Sequence, residues 1–430
     1  MWDSLLNAGR RLAEALEPDQ DPDSADPQRK HVRGARVWSP RTPRRYCEDL
    51  QRQILAWEQQ LGGDPARPGL RLYGRAGLTR HQEVQHLGLI GAAGAGKTQI
   101  GAMLVEQAIQ RQDLVVAADA KGDLTNWLLG AYPTACQLIA PWDARSPSWV
   151  LSDDVRTRID AEDFALALIP HAAEGRDKFW AVAARTIVEA LTLHLVSEGH
   201  PWSFADLWMW VTRGPEQVSD YLARSSEGRV FLPLLTGKAK RASVEDIWTT
   251  VLAFLGPLRH LAAAWPVRGD AASRWSVTRW LARGASQVIV LPLPSAYAVL
   301  GRSAARLVLE RVGSQLLMLP DSVDRRIVFF LDEFSSLGEM RSVKELLVRA
   351  RSKGAVCIVC LQDIGSLQAA WGRDEASSLL NALGTLAALR TGDPDLSEWV
   401  ARALGRRELE EWRSLESRHH GHDEAISRSE

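Results

Sequence analysis

The residues able to do chemistry begin with Gly91, Ala92, Ala93, Gly94, Ala95, Gly96, Lys97 and Thr98. Their types and spacing fit G-x-x-x-x-G-K-[ST], a loop that holds nucleotide phosphates. The glycines let backbone N–H groups curl round phosphate oxygens without Cβ clashes. The phosphates then rest on the positive end of the helix that follows. Lys97 is expected to present an exposed ammonium to the β- and γ-phosphates, and the Thr98 hydroxyl to ligate Mg²⁺. The cofactors this implies are ATP and Mg²⁺.

Asp332 and Glu333 close the apolar run Phe329-Phe330-Leu331, a Walker B pattern. Asp332 is expected to hold Mg²⁺ through water, and Glu333 to activate the water that attacks the γ-phosphate. Adjacent acids suit hydrolysis better than phosphoryl transfer to a small molecule, which must exclude water. An Asp-Glu pair after a strand also serves as a helix N-cap; the P-loop upstream favours the chemical role. Gln362 ends a neighbouring apolar run, where it either senses the γ-phosphate and orients water or is an ordinary loop amide. Arg349 and Arg351 sit near a helix end. One of them reaches a neighbouring subunit's nucleotide as an arginine finger, or both are solvated charges favouring the helix C-terminus.

These residues need elements to carry them. His86–Ile90 reads as a buried strand before the P-loop, and Ile100, Met103, Leu104 and Ala108 recur at helical spacing after it. Leu114–Ala118, Cys136–Ala140, Gln287–Leu291, Ile327–Leu331, Val356–Leu361 and Leu386–Leu389 read as further strands. Continuous apolar runs of this kind suit the centre of a parallel sheet. Helices are expected at Ala304–Leu317 and Val343–Arg351. Between about Asp153 and Arg283 the beta-like runs disappear and helical patterns dominate, with eight tryptophans that read as core. The fold class is therefore α/β: a P-loop NTPase core with a parallel-rich sheet, plus an inserted all-α domain. The expected division is an N-terminal helix, linker and basic arm at 1–61, a nucleotide-binding first part at 62–152, and the all-α insertion at 153–283. A nucleotide-binding second part follows at 284–415, then a polar tail at 416–430.

Composition narrows the classes. A formal net charge of −1 over 430 residues advertises no global basic field, so a DNA-binding surface must be local. Four cysteines argue against a disulfide scaffold and for a reducing compartment. Cys357 and Cys360 form a CxxC, but on a strand residues three apart face opposite sides, so buried packing is the better reading. No membrane-spanning run is visible. Met1–Glu17 reads as a short helix docking on its own domain, and Glu17–Pro27 as an acidic linker. Arg29, Lys30, Arg33, Arg36, Arg41, Arg44 and Arg45, around Trp38 and Tyr46, form an arm that lies on nucleic acid or anionic lipid or is simply solvated. His419, His420 and His422 read as tail rather than as a metal site.

Taken in order, the motifs resemble those of the type IV secretion coupling proteins, the TraD/TraG/VirD4 family of conjugative DNA-transfer ATPases, and most those of the TraD branch. The matching pieces are Glu83–His86 with the P-loop, Asp119-Ala120-Lys121-Gly122-Asp123 and Pro141–Arg145. They continue with Leu168–Pro170, Phe179-Trp180, Arg185–Ile187, Leu331–Leu337, Ala350–Gly354 and Leu361–Asp363. The resemblance implies a RecA-like nucleotide-binding core interrupted by the all-α domain. It also implies a homo-hexameric ring around DNA that uses ATP to deliver single-stranded DNA with its attached relaxase to a secretion channel; double-stranded DNA stays open. The implied partners are the relaxosome, the channel ATPases and inner-membrane components. The implied location is the cytoplasm, at the cytoplasmic face of the inner membrane. The resemblance also puts Arg351 at the trans-acting arginine position and supports Gln362 as a motor residue. Two departures are expected: no pair of membrane-spanning helices at the start, and an end before the family's last core strand. A non-hydrolysing adaptor that docks relaxosome cargo and an FtsK/HerA-like DNA-pumping ATPase are the alternative functions.

Overall fold

A computed structural model describes residues 29–34, 52, 56, 59 and 69–411, except 74–75, 170–175, 225, 231, 233–240, 257, 266–273, 283–285 and 406. The readings for Met1–Glu17, the linker and the tail histidines lie outside the described residues. In chain order the strands are β1 Arg29–Gly34, β2 Arg71–Tyr73, β3 Ala76–Gly77, β4 Leu87–Ile90, β5 Leu114–Asp119, β6 Cys136–Leu138 and β7 Ser148–Trp149. They continue as β8 Arg274–Trp275, β9 Val288–Pro292, β10 Ile327–Leu331, β11 Ala355–Leu361, β12 Thr385–Ala388 and β13 Arg407–Glu411.

Seven strands form one sheet in the order β12-β4-β11-β10-β5-β9-β6. Every pairing in it is parallel. Each central strand is buried on both faces, which is why its sequence shows no alternation. One core cluster, with Val115, Val328, Phe330, Ile358 and Cys360, packs under the P-loop helix. Cys357 belongs to the cluster on the opposite face, so the two cysteines diverge as strand geometry requires.

That second cluster runs unbroken into the inserted helices. Trp149, Phe204 and Trp265 meet edge-on or tilted, with ring centroids 5.8–6.1 Å apart. Trp202, Trp248, Trp265, Trp275 and Trp280 are buried, so these tryptophans are core. The helices include Arg158–Leu168, Arg176–Ser197, Phe204–Thr212, Pro215–Leu222, Arg241–Phe254 and Leu258–Ala264. Two of them start on capping boxes, Thr157 with Asp160 and Ser203 with Asp206.

The expectation of an insertion without strands needs one correction. β8 pairs in parallel with β7 and draws the two ends of the insertion together. A two-residue strand carries no periodicity to read. Asp154 fastens this stem: its carboxylate accepts from Trp149 Nε1 at 2.6 Å and from the backbone N–H groups of Val277 and Thr278 at 2.9 and 2.7 Å.

The amino-terminal ends of β5 and β10 are closed by a buried ion cluster. The fully buried Glu83 accepts from Arg111 at 2.9 Å, Arg326 at 2.8 Å and the Leu70 N–H at 3.1 Å. Part of the basic arm forms a strand. β1 pairs antiparallel with β13, setting Arg29, Lys30 and Arg33 opposite Glu411, Glu410 and Glu408. Among the described residues no single helix is long and apolar enough to cross a membrane. One bent pair, Val244–Phe254 with Leu258–Ala264, has a suitable composition. It spends Val251, Leu258 and Leu261 on the insertion core.

Candidate nucleotide site

Parallel strands deliver the loops at their carboxyl ends to one edge of the sheet. Neighbours in a sheet lie about 4.8 Å apart, so the ends of β4, β11 and β10 fall within about 10 Å of one another. The P-loop leaves β4, Gln362 follows β11, and Asp332 with Glu333 follows β10.

The P-loop turn needs its glycines. Gly94 and Gly96 lie at φ 71° and 98°, the left-handed region that favours glycine. Gly91 N–H bonds Leu361 O and Ala92 N–H bonds Arg390 O, at 3.1 and 2.8 Å, so the loop base is pinned to the end of β11 and to the segment just after β12. Lys97 opens the helix Lys97–Gln110, with Thr98 half-buried beside it.

Lys97 differs from expectation. It is only 5% exposed, and its ammonium donates to the carbonyls of Gly91 and Ala92 at 2.6 and 2.9 Å. Burial lowers its pKa. The loop's own carbonyls are the available acceptors, so the cation turns inward onto them.

Asp332 is 1% exposed, and its Oδ2 has no hydrogen-bond partner. Burial, then the charges of Asp119 and Glu333, push its carboxyl up to about 6. A buried carboxylate with one unpartnered oxygen, at the sheet edge where the P-loop also ends, suits a divalent cation. Among the described residues no group of three or more His, Cys, Asp or Glu is set to hold a metal. Mg²⁺ does not require one, because it usually takes one or two protein oxygens and fills its shell with water and phosphate.

Asp119, at the end of β5, is not free to join. Its carboxylate accepts from the Lys121 N–H at 3.1 Å and from the Thr125 N–H and hydroxyl at 2.7 and 2.8 Å. It anchors the loop that carries Lys121. Lys121 Nζ lies 3.6 Å from Glu333 Oε1, and the Gln362 amide donates to that same oxygen. Glu333 sits at φ 50°, an uncommon backbone for a residue with a side chain. Gln362 and Glu333 were expected at one edge and meet there. Lys121 and Cys360, the latter's thiol pushed up by burial and then by Asp332, are not site residues by spacing: the one reads as part of a motif and the other as buried packing. The available signal was the polar Asp119–Asp123 segment closing an apolar strand.

Arg351 is elsewhere. The helix expected over Val343–Arg351 is Arg341–Arg349, and Arg351 lies in the turn before β11. Gln362 follows the other end of that seven-residue strand, about 20 Å away at about 3.3 Å per residue. Arg351 therefore cannot reach its own chain's phosphate site. Its Nη2 donates to Ala382 O at 3.3 Å. Arg349 pairs with Glu345 at 3.2 Å across one helical turn.

A parallel sheet with a P-loop on one strand and an acidic pair two strands away defines a RecA-like NTPase-type protein. The chain belongs to the type IV secretion-system coupling proteins: residues 72–426 match the profile of that family's DNA-binding domain. It is TraD-like, being 25% identical over 342 residues to the coupling protein TraD of Escherichia coli (strain K12). That match takes in 77% of this chain and 45% of TraD, so the chain spans less than half the length of that relative.

Among solved structures, the plasmid coupling protein TrwB in complex with ADP and Mg²⁺ superposes with a TM-score of 0.69 at 21% identity, over 89% of this chain and 87% of that one. TrwB with sulphate gives 0.70 at 22%, with the same coverage. VirB4 of Thermoanaerobacter pseudethanolicus gives 0.50 at 14%, over 78% of this chain and 87% of that one.

Proposed function

We propose that this chain hydrolyses ATP to drive DNA through a conjugative secretion channel, delivering single-stranded DNA with its bound relaxase. The observation that carries this reading is the meeting of Lys97, Asp332, Glu333 and Gln362 at one sheet edge. The P-loop, Gly91 to Thr98, binds the phosphates. Lys97 leaves the carbonyls of Gly91 and Ala92 for phosphate oxygens, a stronger charge-assisted partner. Thr98 and Asp332 would hold Mg²⁺, which would neutralise phosphate charge. Glu333 accepts the proton of the attacking water, and Gln362 orients the carboxylate that does so.

Arg351, remote from its own chain's site, acts on the nucleotide of the next subunit in a homo-hexamer. The ring works at the cytoplasmic face of the inner membrane, against the secretion channel and the relaxosome. The likeness to TrwB, whose structures include complexes with ADP and Mg²⁺ and with an ATP analogue, supports the nucleotide assignment.

The test is ATP turnover with and without single- and double-stranded DNA, beside Lys97→Ala. Turnover raised by DNA in the wild type, and lost in a variant that still melts cooperatively, is expected. Equal turnover in Lys97→Ala would remove the P-loop assignment. A wild-type protein that binds DNA but never turns over ATP would make the chain a docking adaptor.

A further inference from the structure

Glu333 Oε1 is approached from two sides. Gln362 reaches it from the end of β11, and Lys121 from the end of β5, with Nζ at 3.6 Å. The two groups stand on the strands either side of β10, which carries Glu333. Lys121 is not loosely held. Its own N–H is tied to Asp119 Oδ1 at 3.1 Å, and the opposite oxygen of Asp119 takes both donors of Thr125. Asp119 is fully buried, so the loop is fixed to the sheet edge. The Lys121 side chain is still about two-fifths exposed, so its ammonium can shift toward a ligand.

We propose that Lys121 is a positioning residue for hydrolysis: with Gln362 it fixes one oxygen of Glu333, leaving Oε2 for the attacking water. This rests on the reading of Glu333 as the base of an ATPase. The logic is geometric. The left-handed backbone of Glu333 restricts its rotamers, and one hydrogen bond plus one nearby cation on the same oxygen select among them. Removing an orienting contact displaces a catalytic group by an ångström or so, which costs on the order of 10²-fold in rate.

The experiment measures steady-state kcat and KM for ATP, with DNA present, on the wild type and on Lys97→Ala, Lys121→Met, Lys121→Arg, Glu333→Gln and the double variant Lys121→Met/Glu333→Gln. Binding of a fluorescent ATP analogue and thermal melts are read on each. Lys121→Met is expected to lower kcat by roughly 10- to 100-fold with KM within a few-fold of wild type. Lys121→Arg restores most of the rate. The double variant is no slower than Glu333→Gln, because Lys121 acts only through Glu333.

Three outcomes overturn the inference while leaving the ATPase reading intact: an unchanged kcat in Lys121→Met beside a dead Lys97→Ala, a rise in KM alone, or a double variant slower by the product of the single losses. The last two would make Lys121 a direct phosphate contact. Undiminished turnover in Lys97→Ala would instead overturn the reading on which the inference rests.

Discussion

Phe330, on the strand that carries the acidic pair, presses its ring against Gly101 of the P-loop helix. A Cβ built at Gly101 would lie 2.0 Å from Phe330 Cε2 and 2.5 Å from Cζ. The helix that presents Lys97 and the strand that presents Asp332 thus touch with no space for one methyl group. Gly101→Ala is expected to destabilise the fold by about 1–3 kcal/mol through overpacking, despite alanine's better helix propensity. Adding Phe330→Leu should return part of the loss. Urea unfolding of the single and double variants measures both, and a Gly101→Ala protein as stable as wild type would mean that the helix can shift.

Glu333→Gln is expected to bind ATP with Mg²⁺ but to turn it over about 10²–10⁴-fold more slowly, the usual cost of losing a general base. Its fold should survive, since the amide oxygen of the substituted side chain can still accept from Gln362. Normal hydrolysis in Glu333→Gln alongside a dead Asp332→Asn would place the base on another residue.

Arg351→Ala should abolish the turnover that appears on assembly and leave ATP binding by single subunits untouched. A finger supplied by a neighbour is worth roughly 10³–10⁵ in rate. Mixing Arg351→Ala with Lys97→Ala subunits provides each with what the other lacks, so co-assembled mixtures should regain partial DNA-dependent activity. A verified mixed assembly no faster than either variant alone would end the trans role, leaving Arg349 as the next candidate.

His86 predicts an acid-labile junction between β4, β11 and the helix Arg341–Arg349. It is fully buried at φ 66°; its Nδ1 accepts from the Cys357 N–H at 3.1 Å and its Nε2 donates to Leu347 O at 3.0 Å. Burial, then the charge of Arg351, lower its pKa from 6.5 to about 3. Between those values the unfolded chain binds the extra proton, so stability is full above pH 6.5 and falls as pH drops toward 3, by up to about 1.4 kcal/mol per unit. His86→Asn keeps a side chain tolerated at positive φ and removes the titration. Its urea midpoint should start lower at pH 7 and then decline less steeply to pH 5 than wild type. Parallel curves for the two proteins would exclude His86 as a source of acid lability.

Local chemistry made much of this protein legible from residue order alone. Continuous apolar runs such as Phe329–Leu331 can be satisfied only by strands buried on both faces, and a Gly-rich turn ahead of Lys97 has few structural uses. The sheet's parallel character and the core tryptophans therefore follow from period and composition. Strand order does not, because pairing is long-range and leaves no mark on neighbouring residues. Only the fold set β5 and β11 on either side of β10, and so brought Lys121 and Gln362 onto one oxygen of Glu333. Only the fold set Arg351 at the far end of β11 from Gln362, though eleven positions apart both had read as parts of one motor. Lys97 likewise had to be seen among its carbonyls. A side chain's partners are decided by what burial leaves within reach, and burial is a property of the packed chain rather than of any stretch of it.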